Sequence, residues 1–306
     1  MVHFGYYRRF LLLPFHSTLN FLPIIFVNNS TGMELLQNPN DCKISYHISM
    51  RYNASVNSHN VIGQINGTNS DKTFIVCSLY DCWWNQGTGD SAIGMSMVLA
   101  IAKYFRDNNI TPKYNMKFIA FCGEEYDLRG AYYYVYNHSN ENIEYVIDLN
   151  QLCFKQPYRD APNLMLNIIS NKLKTRYEVK KIVNEKEYLD SVKNVSDVNY
   201  LVMPLLGAPS NTQAFVQQNR RYRTICFLKD TGWVHHHRDG LNHTEGDTMK
   251  YFYPDDVNAT GTMILNVVYG LMFKEPRWIW QGFIPFIIAI TLIIIATILA
   301  WKKKLV

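Results

Sequence analysis

Residues 73–105 read TFIVCSLYDCWWNQGTGDSAIGMSMVLAIAKYF, and this stretch indicates the fold most clearly. The run from Thr73 to Leu79 is short, apolar and rich in β-branched residues, which predicts a buried strand. The run from Ser91 to Phe105 is apolar at helical spacing, and Asp90-Ser91 is predicted to cap that helix. Asp81 and Asp90 lie in the loop between the two runs. The stretch therefore predicts a strand–loop–helix unit with carboxylates at the end of its strand.

The rest of the chain repeats this alternation of strands and helices. Apolar runs predict further strands over 115–122, 144–149, 164–169 and 224–228, a helix near 130–136 and a solvated helix within 171–200. Such an order predicts an α/β fold with a mostly parallel, twisted central sheet and helices on both faces. Ligands bind outside the carboxyl ends of the strands in sheets of this kind. The polar residues predicted to lie at those ends are Asp81, Asp90, Glu124, Glu125 and Asn150.

The composition is that of an ordinary globular protein. The 306 residues are 48% hydrophobic and 18% charged, with a formal net charge of +5. Lysine and arginine are scattered along the chain, which argues against a nucleic-acid-binding surface. The length allows one large domain or two small ones.

The C-terminal region predicts a membrane anchor. Residues 282–301 form an uncharged apolar run, and about 20 such residues cross a bilayer as a helix. Tryptophans flank the run, as is typical of the membrane interface, and three lysines follow it directly. Because basic residues stay on the cytoplasmic side, we expect one transmembrane helix, a short basic cytoplasmic tail over 302–306, and a main domain outside the plasma membrane.

The N-terminal region agrees with this topology. Residues 1–27 carry Arg8 and Arg9 before a moderately apolar stretch, which predicts a signal peptide or an N-terminal anchor. Residues 28–276 are then the extracellular domain. The glycosylation sequons Asn-x-Ser/Thr suit such a domain, and they begin at Asn28, Asn29, Asn53, Asn66, Asn137, Asn194, Asn242 and Asn258.

Four parts of the sequence carry residues suited to metal chemistry. They are Asp90, the pair Glu124-Glu125, the 148–150 region, and the segment from His243 to Asp247. Zinc takes His, Asp and Glu ligands, and a catalytic zinc site keeps one position open for water. A carboxylate beside that water acts as a general base. Each part alone is a weak signal, because exposed acids are common, but their order and spacing together predict a zinc centre.

These segments resemble the co-catalytic zinc aminopeptidases, metallopeptidase family twenty-eight of clan MH. The resemblance covers residues 60–150 well and resumes in GAPSNTQAF and NHTEGDTMKYFYPDDV, within 205–260. It implies the zinc exopeptidase form of the phosphorylase/hydrolase-like fold. The family's relatives include glutaminyl cyclases, which hold one zinc with Asp, Glu and His, and non-catalytic receptor-like proteins.

The resemblance assigns a role to each matching residue. Asp90 matches the aspartate that bridges two zinc ions, Glu124 the general base, and Glu125 the neighbouring zinc ligand. His243 matches the distal histidine ligand, because Thr244 and Asp247 complete the family's His-Thr-x-x-Asp pattern.

Two positions depart from the family pattern. Leu79 stands where the family's first histidine ligand is expected. The family's Asn-Leu-Asp strand end reads Asp148-Leu149-Asn150, so Asn150 replaces an aspartate ligand. A register shifted by two residues makes Asp148 the ligand instead, but strand alternation favours Asn150. Both losses affect the first metal, and they leave one complete set of ligands: Asp90, Glu125 and His243.

The sequence therefore predicts a membrane-anchored, outward-facing metallopeptidase of the aminopeptidase type that acts on peptide substrates with one tightly bound Zn²⁺. Two alternatives stay open: a glutaminyl-cyclase-like acyltransferase, and a non-catalytic binding ectodomain. Glu124 argues against the second alternative, because a binding domain needs no general base.

Overall fold

A computed structural model of the chain describes residues 29–37, 40, 43, 45, 47, 57–82, 86–152, 166–185, 200–204, 210–219, 221–229, 246–252 and 254–273. The chain divides into two compact units, Met1–Val56 and Asn57–Val306. The described part of the first unit contains the helix α1 (Asn29–Gln37). The elements that follow belong to the second unit.

The strands of the second unit are β1 (Val61–Ile65), β2 (Asn69–Leu79), β3 (Tyr114–Phe121), β4 (Ile143–Asn150), β5 (Leu166–Ser170), β6 (Tyr200–Pro204) and β7 (Arg223–Lys229). Its α-helices are α2 (Ile93–Asp107), α3 (Arg129–Asn137), α4 (Leu173–Glu185), α5 (Asn211–Gln218) and α6 (Pro254–Phe273). A wide turn, Thr88–Ala92, precedes α2, and a short 3₁₀ helix, Met249–Tyr251, precedes α6.

One mixed sheet contains all of these strands, in the order β1-β3-β2-β4-β7-β5-β6. The central pairs β3–β2, β2–β4 and β4–β7 are parallel, as is the outer pair β5–β6. β1 runs antiparallel to β3, and β5 runs antiparallel to β7. The predicted α/β fold with a mostly parallel central sheet is confirmed. We call the edge where β2, β3, β4 and β7 end the carboxyl edge, and the opposite one the amino edge.

Helices cover both faces of the sheet because the central strands are apolar on both sides. Along β2, Phe74 and Val76 pack in one cluster with residues of α2, α4 and α6. Ile75 and Cys77 point to the opposite face, as strand alternation requires, and pack with residues of α3 and α5. A strand buried on both faces is typical of parallel sheets, which explains why β2 reads as an unbroken apolar run.

The structure corrects the predicted cap of α2. No side chain caps this helix, whose N-terminal cap residue is Ala92. Asp90 and Ser91 instead adopt non-helical backbone angles within the preceding turn (φ −119° and −146°). The Asp90 side chain accepts a hydrogen bond from Gln151, beyond the end of β4. Asp90 is therefore turned toward the carboxyl edge and not along its own helix.

Helix α6 runs alongside α2 from the carboxyl edge to the amino edge. Early in α2, Gly94 lies so close to β4 that a Cβ atom on it would be 2.2 Å from the Leu149 carbonyl oxygen. Gly261, near the start of α6, lies beside Met97. Phe273, at the end of α6, stacks on Phe105 near the end of α2, with 6.3 Å between ring centroids. Helix α6 therefore ends at the amino edge of the sheet.

The predicted membrane and targeting segments lie outside the described residues. These are the N-terminal segment 1–27, the transmembrane segment 282–301 and the tail 302–306. None of the helices that the structure describes combines the length and apolar character needed to cross a bilayer.

Candidate metal centre

Three of the predicted site residues are buried carboxylates at the carboxyl edge. Asp90 is 3% exposed, Glu124 is 6% exposed and Glu125 is 4% exposed. Asp90 lies in the turn after β2, and the two glutamates follow β3 directly. β2 and β3 are parallel neighbours, so their loops meet at this edge. Burying charge is costly unless it is hydrogen-bonded or bound to a cation, so all three carboxylates need partners of this kind.

Asp81 fixes the backbone of the glutamate pair. Its Oδ1 accepts the Glu124 amide and its Oδ2 accepts the Glu125 amide, both at 3.1 Å. A carboxylate that accepts two backbone N–H groups holds a turn in one geometry. Asp81 therefore positions the two glutamates.

Asn60 supports the same turn from the other side. Its Oδ1 accepts the Cys122 amide at 3.1 Å, and its Nδ2 donates to the Gly130 carbonyl at 2.9 Å. Gly123, between Cys122 and Glu124, has a φ of +62°, a conformation that glycine adopts without strain. Nothing in the sequence around Asn60 marks it as part of the site, because it lies just before an exposed edge strand.

Asp247 holds the turn that carries Asp90. Its Oδ1 accepts the Gly89 amide at 2.7 Å, and its Oδ2 accepts the Asp90 amide at 3.1 Å. Burial raises the pKa of Asp247, although the two amide donors oppose that rise. The contact brings the segment that follows His243 against the Asp90 turn. His243 itself lies outside the described residues.

The end of β4 makes a further link to Asp90. Gln151 follows Asn150 directly, and its Nε2 donates to Oδ2 of Asp90 at 3.2 Å. The next residue, Leu152, donates its amide to the Gly89 carbonyl at 3.0 Å. Gln151 has a φ of +36°, which turns the chain back toward the Asp90 loop. Sequence reasoning does not find Gln151, because its role depends on this local backbone angle.

The side chains of Asn150 and Asp148 make different contacts. Asn150 Nδ2 approaches Oε1 of Glu124 at 3.4 Å, a long hydrogen bond. Asp148 Oδ1 accepts Nδ2 of Asn211 at 3.2 Å, at the start of α5, and lies 3.8 Å from the Cys77 thiol. This geometry puts Asn150 next to the predicted base and associates Asp148 with α5.

Burial also affects the Asp148 carboxyl group. It raises the pKa of Asp148 to about 6, even though the Asn211 and Ser210 side chains lower it. Asp148 is fully buried, so it holds a proton more firmly than an ordinary aspartate does.

Leu79, which is predicted to stand in place of the family's first histidine ligand, is a buried residue of the sheet. It is the last residue of β2, lies opposite Phe121 of β3, and is 0% exposed. An apolar side chain offers no metal ligand. The buried leucine therefore gives this part of the carboxyl edge a hydrophobic lining.

The described donors suit zinc in their chemistry, because Asp90 and Glu125 supply carboxylate oxygens. Within the described ranges, no three or more His, Cys, Asp or Glu side chains form a group able to hold a metal ion. The predicted third ligand, His243, is outside those ranges. The single zinc site is therefore still a prediction, to which the described residues contribute two ligands and a neighbouring carboxylate, Glu124.

Comparison with known proteins points to one family. The sequence model of peptidase family M28 matches residues 60–268. A comparison with curated proteins finds no match.

Solved structures share the fold at low sequence identity. A zinc aminopeptidase from Bacillus subtilis is 18% identical with a TM-score of 0.55, and the match covers 72% of this chain and 51% of that one. LapB from Legionella pneumophila is 16% identical with a TM-score of 0.56, over 70% and 56% of the two chains. Nicastrin, a gamma-secretase component, is 12% identical with a TM-score of 0.53, over 70% and 43%. The matched region is thus about half the length of these proteins.

Proposed function

Because this chain belongs to peptidase family M28, we propose that it is a zinc metallopeptidase of the aminopeptidase type, which releases N-terminal residues from peptides with one zinc ion. The observation that carries the proposal is the placement of Glu124. This carboxylate is 6% exposed, lies beside Glu125 at the carboxyl edge, and has its backbone amide held by Asp81. A non-catalytic domain has no use for a buried general base that is positioned in this way.

Asp90, Glu125 and His243 would hold the zinc ion. Two carboxylates and one imidazole leave a fourth position open, as in catalytic zinc sites. When bound, zinc polarises the scissile carbonyl and lowers the pKa of water. The Asp81 and Asp247 carboxylates fix the backbone of Glu125 and Asp90 respectively, so both ligands are held in place before the metal binds.

Glu124 would carry the proton transfers. Its carboxylate takes a proton from the attacking water and passes it to the amine that leaves when the peptide bond breaks. Asn150 Nδ2, 3.4 Å from Oε1 of Glu124, orients that carboxylate without adding charge. In this mechanism Glu124 acts as the general base and Glu125 acts as a zinc ligand.

Replacing Glu124 with Gln tests this mechanism. The change keeps the size of the side chain but removes the base, so we expect at least about a hundredfold loss of rate. Zinc content should stay unchanged, because Glu124 is not a ligand. The exposed Glu34, replaced with Gln in the same way, is the control and should retain full activity.

Measurements of activity and zinc content also separate the proposed function from its two alternatives. Cyclisation of N-terminal glutamine without release of N-terminal residues would favour a glutaminyl-cyclase-like enzyme. A zinc-loaded wild-type protein without activity on aminoacyl, dipeptide or N-terminal glutamine substrates would favour a binding ectodomain. The buried leucine at position 79, which offers no metal ligand, is the observation that favours this second alternative.

We also propose that residues 282–301 anchor the protein in the plasma membrane with its main domain outside. Helix α6 ends at Phe273 on the amino edge, shortly before this apolar run. The amino edge would then face the bilayer, and the carboxyl edge would face the solution from which peptides arrive. The sequon asparagines Asn66, Asn137 and Asn258 are exposed, as glycosylation of an outward-facing domain requires.

A further inference from the structure

Two consecutive side-chain amides donate toward carboxylates of the proposed metal centre. Asn150 and Gln151 follow one another at the end of β4. Asn150 Nδ2 lies 3.4 Å from Oε1 of Glu124, and Gln151 Nε2 lies 3.2 Å from Oδ2 of Asp90. Each amide donates toward a carboxylate oxygen of the proposed centre. An amide N–H group carries a partial positive charge that stabilises an anionic oxygen. A metal ion does the same with its full positive charge.

The backbone around Gln151 favours this contact. The φ of +36° at Gln151 reverses the chain just after β4. The Leu152 amide is bound to the Gly89 carbonyl at 3.0 Å, and the Ser91 hydroxyl donates to the Leu149 carbonyl at 3.1 Å. Hydrogen bonds on both sides of Gln151 therefore fix the distance between its backbone and the Asp90 turn, and its side chain spans the gap.

We propose that Gln151 is a positioning residue that commits Asp90 to a single zinc ion. Its amide donates to Oδ2 of Asp90 at 3.2 Å and would compete with a second ion for that oxygen, so that Asp90 serves one metal ion. Leu79 and Asn150 supply no anionic or imidazole ligand for such an ion, and Gln151 takes up the carboxylate oxygen that it would share. The inference rests on the proposed zinc function and adds a residue to it.

Zinc affinity tests the role of Gln151 directly. Replacing Gln151 with Met keeps the length of the side chain and removes the donor. We expect zinc binding, measured by competition with a chelator, to weaken about tenfold or more, as for other residues that orient a metal ligand. Gln64, exposed on β1 and distant from the carboxyl edge, is the matched control. The same change there should leave zinc affinity unaltered.

A second variant distinguishes the loss of the hydrogen bond to Asp90 from misfolding. Asn tolerates a positive φ, but its side chain is one methylene shorter and does not reach Asp90. Replacing Gln151 with Asn should therefore reproduce the loss of affinity in a folded protein. The visible spectrum of the cobalt-substituted protein adds a readout that general destabilisation does not change. We expect weaker d–d bands in both variants, because the released Asp90 binds the metal through both oxygens and raises its coordination number.

The number of zinc ions bound per chain should differ most clearly between proteins with and without Gln151. In a background with Leu79→His and Asn150→Asp, the ligands of the first site are restored while Gln151 still holds Asp90. We expect that protein to bind one zinc ion per chain, and to bind two only when Gln151 is also replaced with Met.

Three results would overturn the inference. Unchanged zinc affinity and an unchanged cobalt spectrum in both Gln151 variants would remove its role. Two zinc ions in the double background with Gln151 intact would show that the amide does not prevent bridging. A wild-type protein that binds no zinc would overturn the proposed function as well, which separates that failure from a failure of the inference alone.

Discussion

Asp81 and Asp247 each use both carboxylate oxygens to accept backbone amides of neighbouring residues. Asp81 holds the turn of Glu124 and Glu125, the proposed general base and zinc ligand, and Asp247 holds the turn of Asp90. The resemblance assigns neither of them to the metal, and their contacts explain why the acids remain at these positions. At the scale of single residues, the proposed centre therefore combines candidate metal ligands with carboxylates that shape the loops around them.

Asp148 provides a test of the strand register. If Asn150 stands in the place of the lost aspartate ligand, replacing Asp148 with Asn leaves zinc affinity unchanged. Loss of zinc in that variant would instead identify Asp148 as a ligand.

Asp148 should also give stability a recognisable pH dependence in the metal-free protein. Burial raises its pKa from an ordinary value of 3.8 to about 6. The folded protein then binds the proton more tightly than the unfolded chain, so this contribution is fully present below about pH 4 and is lost as pH rises through about 6. The shift corresponds to about 3 kcal/mol. Denaturant unfolding between pH 4 and 7 should show this slope in the wild type and a flatter one in Asp148→Asn.

The sequence predicts some of these residues better than others. Glu124 and Glu125 are predictable because they follow an apolar run that ends at one edge of a parallel sheet. Asp90 is predictable because it lies in the loop between the apolar runs of β2 and α2. Gln151 and Asn60 are not, because their hydrogen bonds depend on a positive φ and on the approach of an edge strand. Asp90 is wrongly predicted as a helix cap, since the contact with Gln151 turns its side chain across the loop.

Among the elements, the buried strands and α2 follow from the sequence within a few residues. β2 begins at Asn69 and not at Thr73, because its exposed first residues carry no apolar signal. β1 is not predicted, since its residues are mostly exposed and do not alternate. Residues 171–200 contain the helix α4 as predicted, but this helix is not solvated all round, because Val179, Ile182 and Val183 are buried in the core. Tyr200 begins the strand β6, which is not predicted.

A charged network joins β2, β3 and α3 near the amino edge. Glu141 accepts hydrogen bonds from Thr73 and Tyr134, both at 2.7 Å, and pairs with Lys117 at 2.6 Å. Burial alone would raise the pKa of Glu141, but the hydrogen bonds from Lys117, Thr73 and Tyr134 lower it below the ordinary value of 4.5. The ionised form is therefore the one that stabilises the fold.

Replacing Glu141 with Gln should lower the free energy of unfolding by about 2 kcal/mol, the scale of hydrogen bonds to a charged group. The contribution of the wild-type residue is present above about pH 4.5 and is lost as pH falls through the lowered pKa. Chemical unfolding at pH 7 and at pH 3 should show a smaller difference between the two proteins in acid. An equal difference at both values would contradict a role for the ionised carboxylate. Zinc affinity should not change, because the network lies away from the carboxyl edge.

At the scale of the whole molecule, the direction of α6 determines which edge would face a membrane. Phe273 stacks on Phe105 at the amino edge, so an anchor beyond α6 would hold the metal centre away from the bilayer. Thr111 is exposed at the amino edge, and Met249 is exposed near the carboxyl edge beside Asp247.

This orientation can be measured on the full chain in lipid vesicles. A fluorescent amino acid incorporated at Thr111 should transfer energy to labelled lipids more efficiently than one at Met249. Equal transfer, or stronger transfer from Met249, would contradict the proposed orientation. Absence of the protein from the membrane fraction would contradict the anchor itself.

The central claim is that one zinc ion is held by Asp90, Glu125 and His243. Elemental analysis of the purified protein, with and without His243→Ala, tests it most directly. We predict one zinc ion per chain in the wild type and almost none in the variant, because two carboxylates alone hold zinc weakly. Two zinc ions in the wild type, or one zinc ion that persists without His243, would contradict the claim.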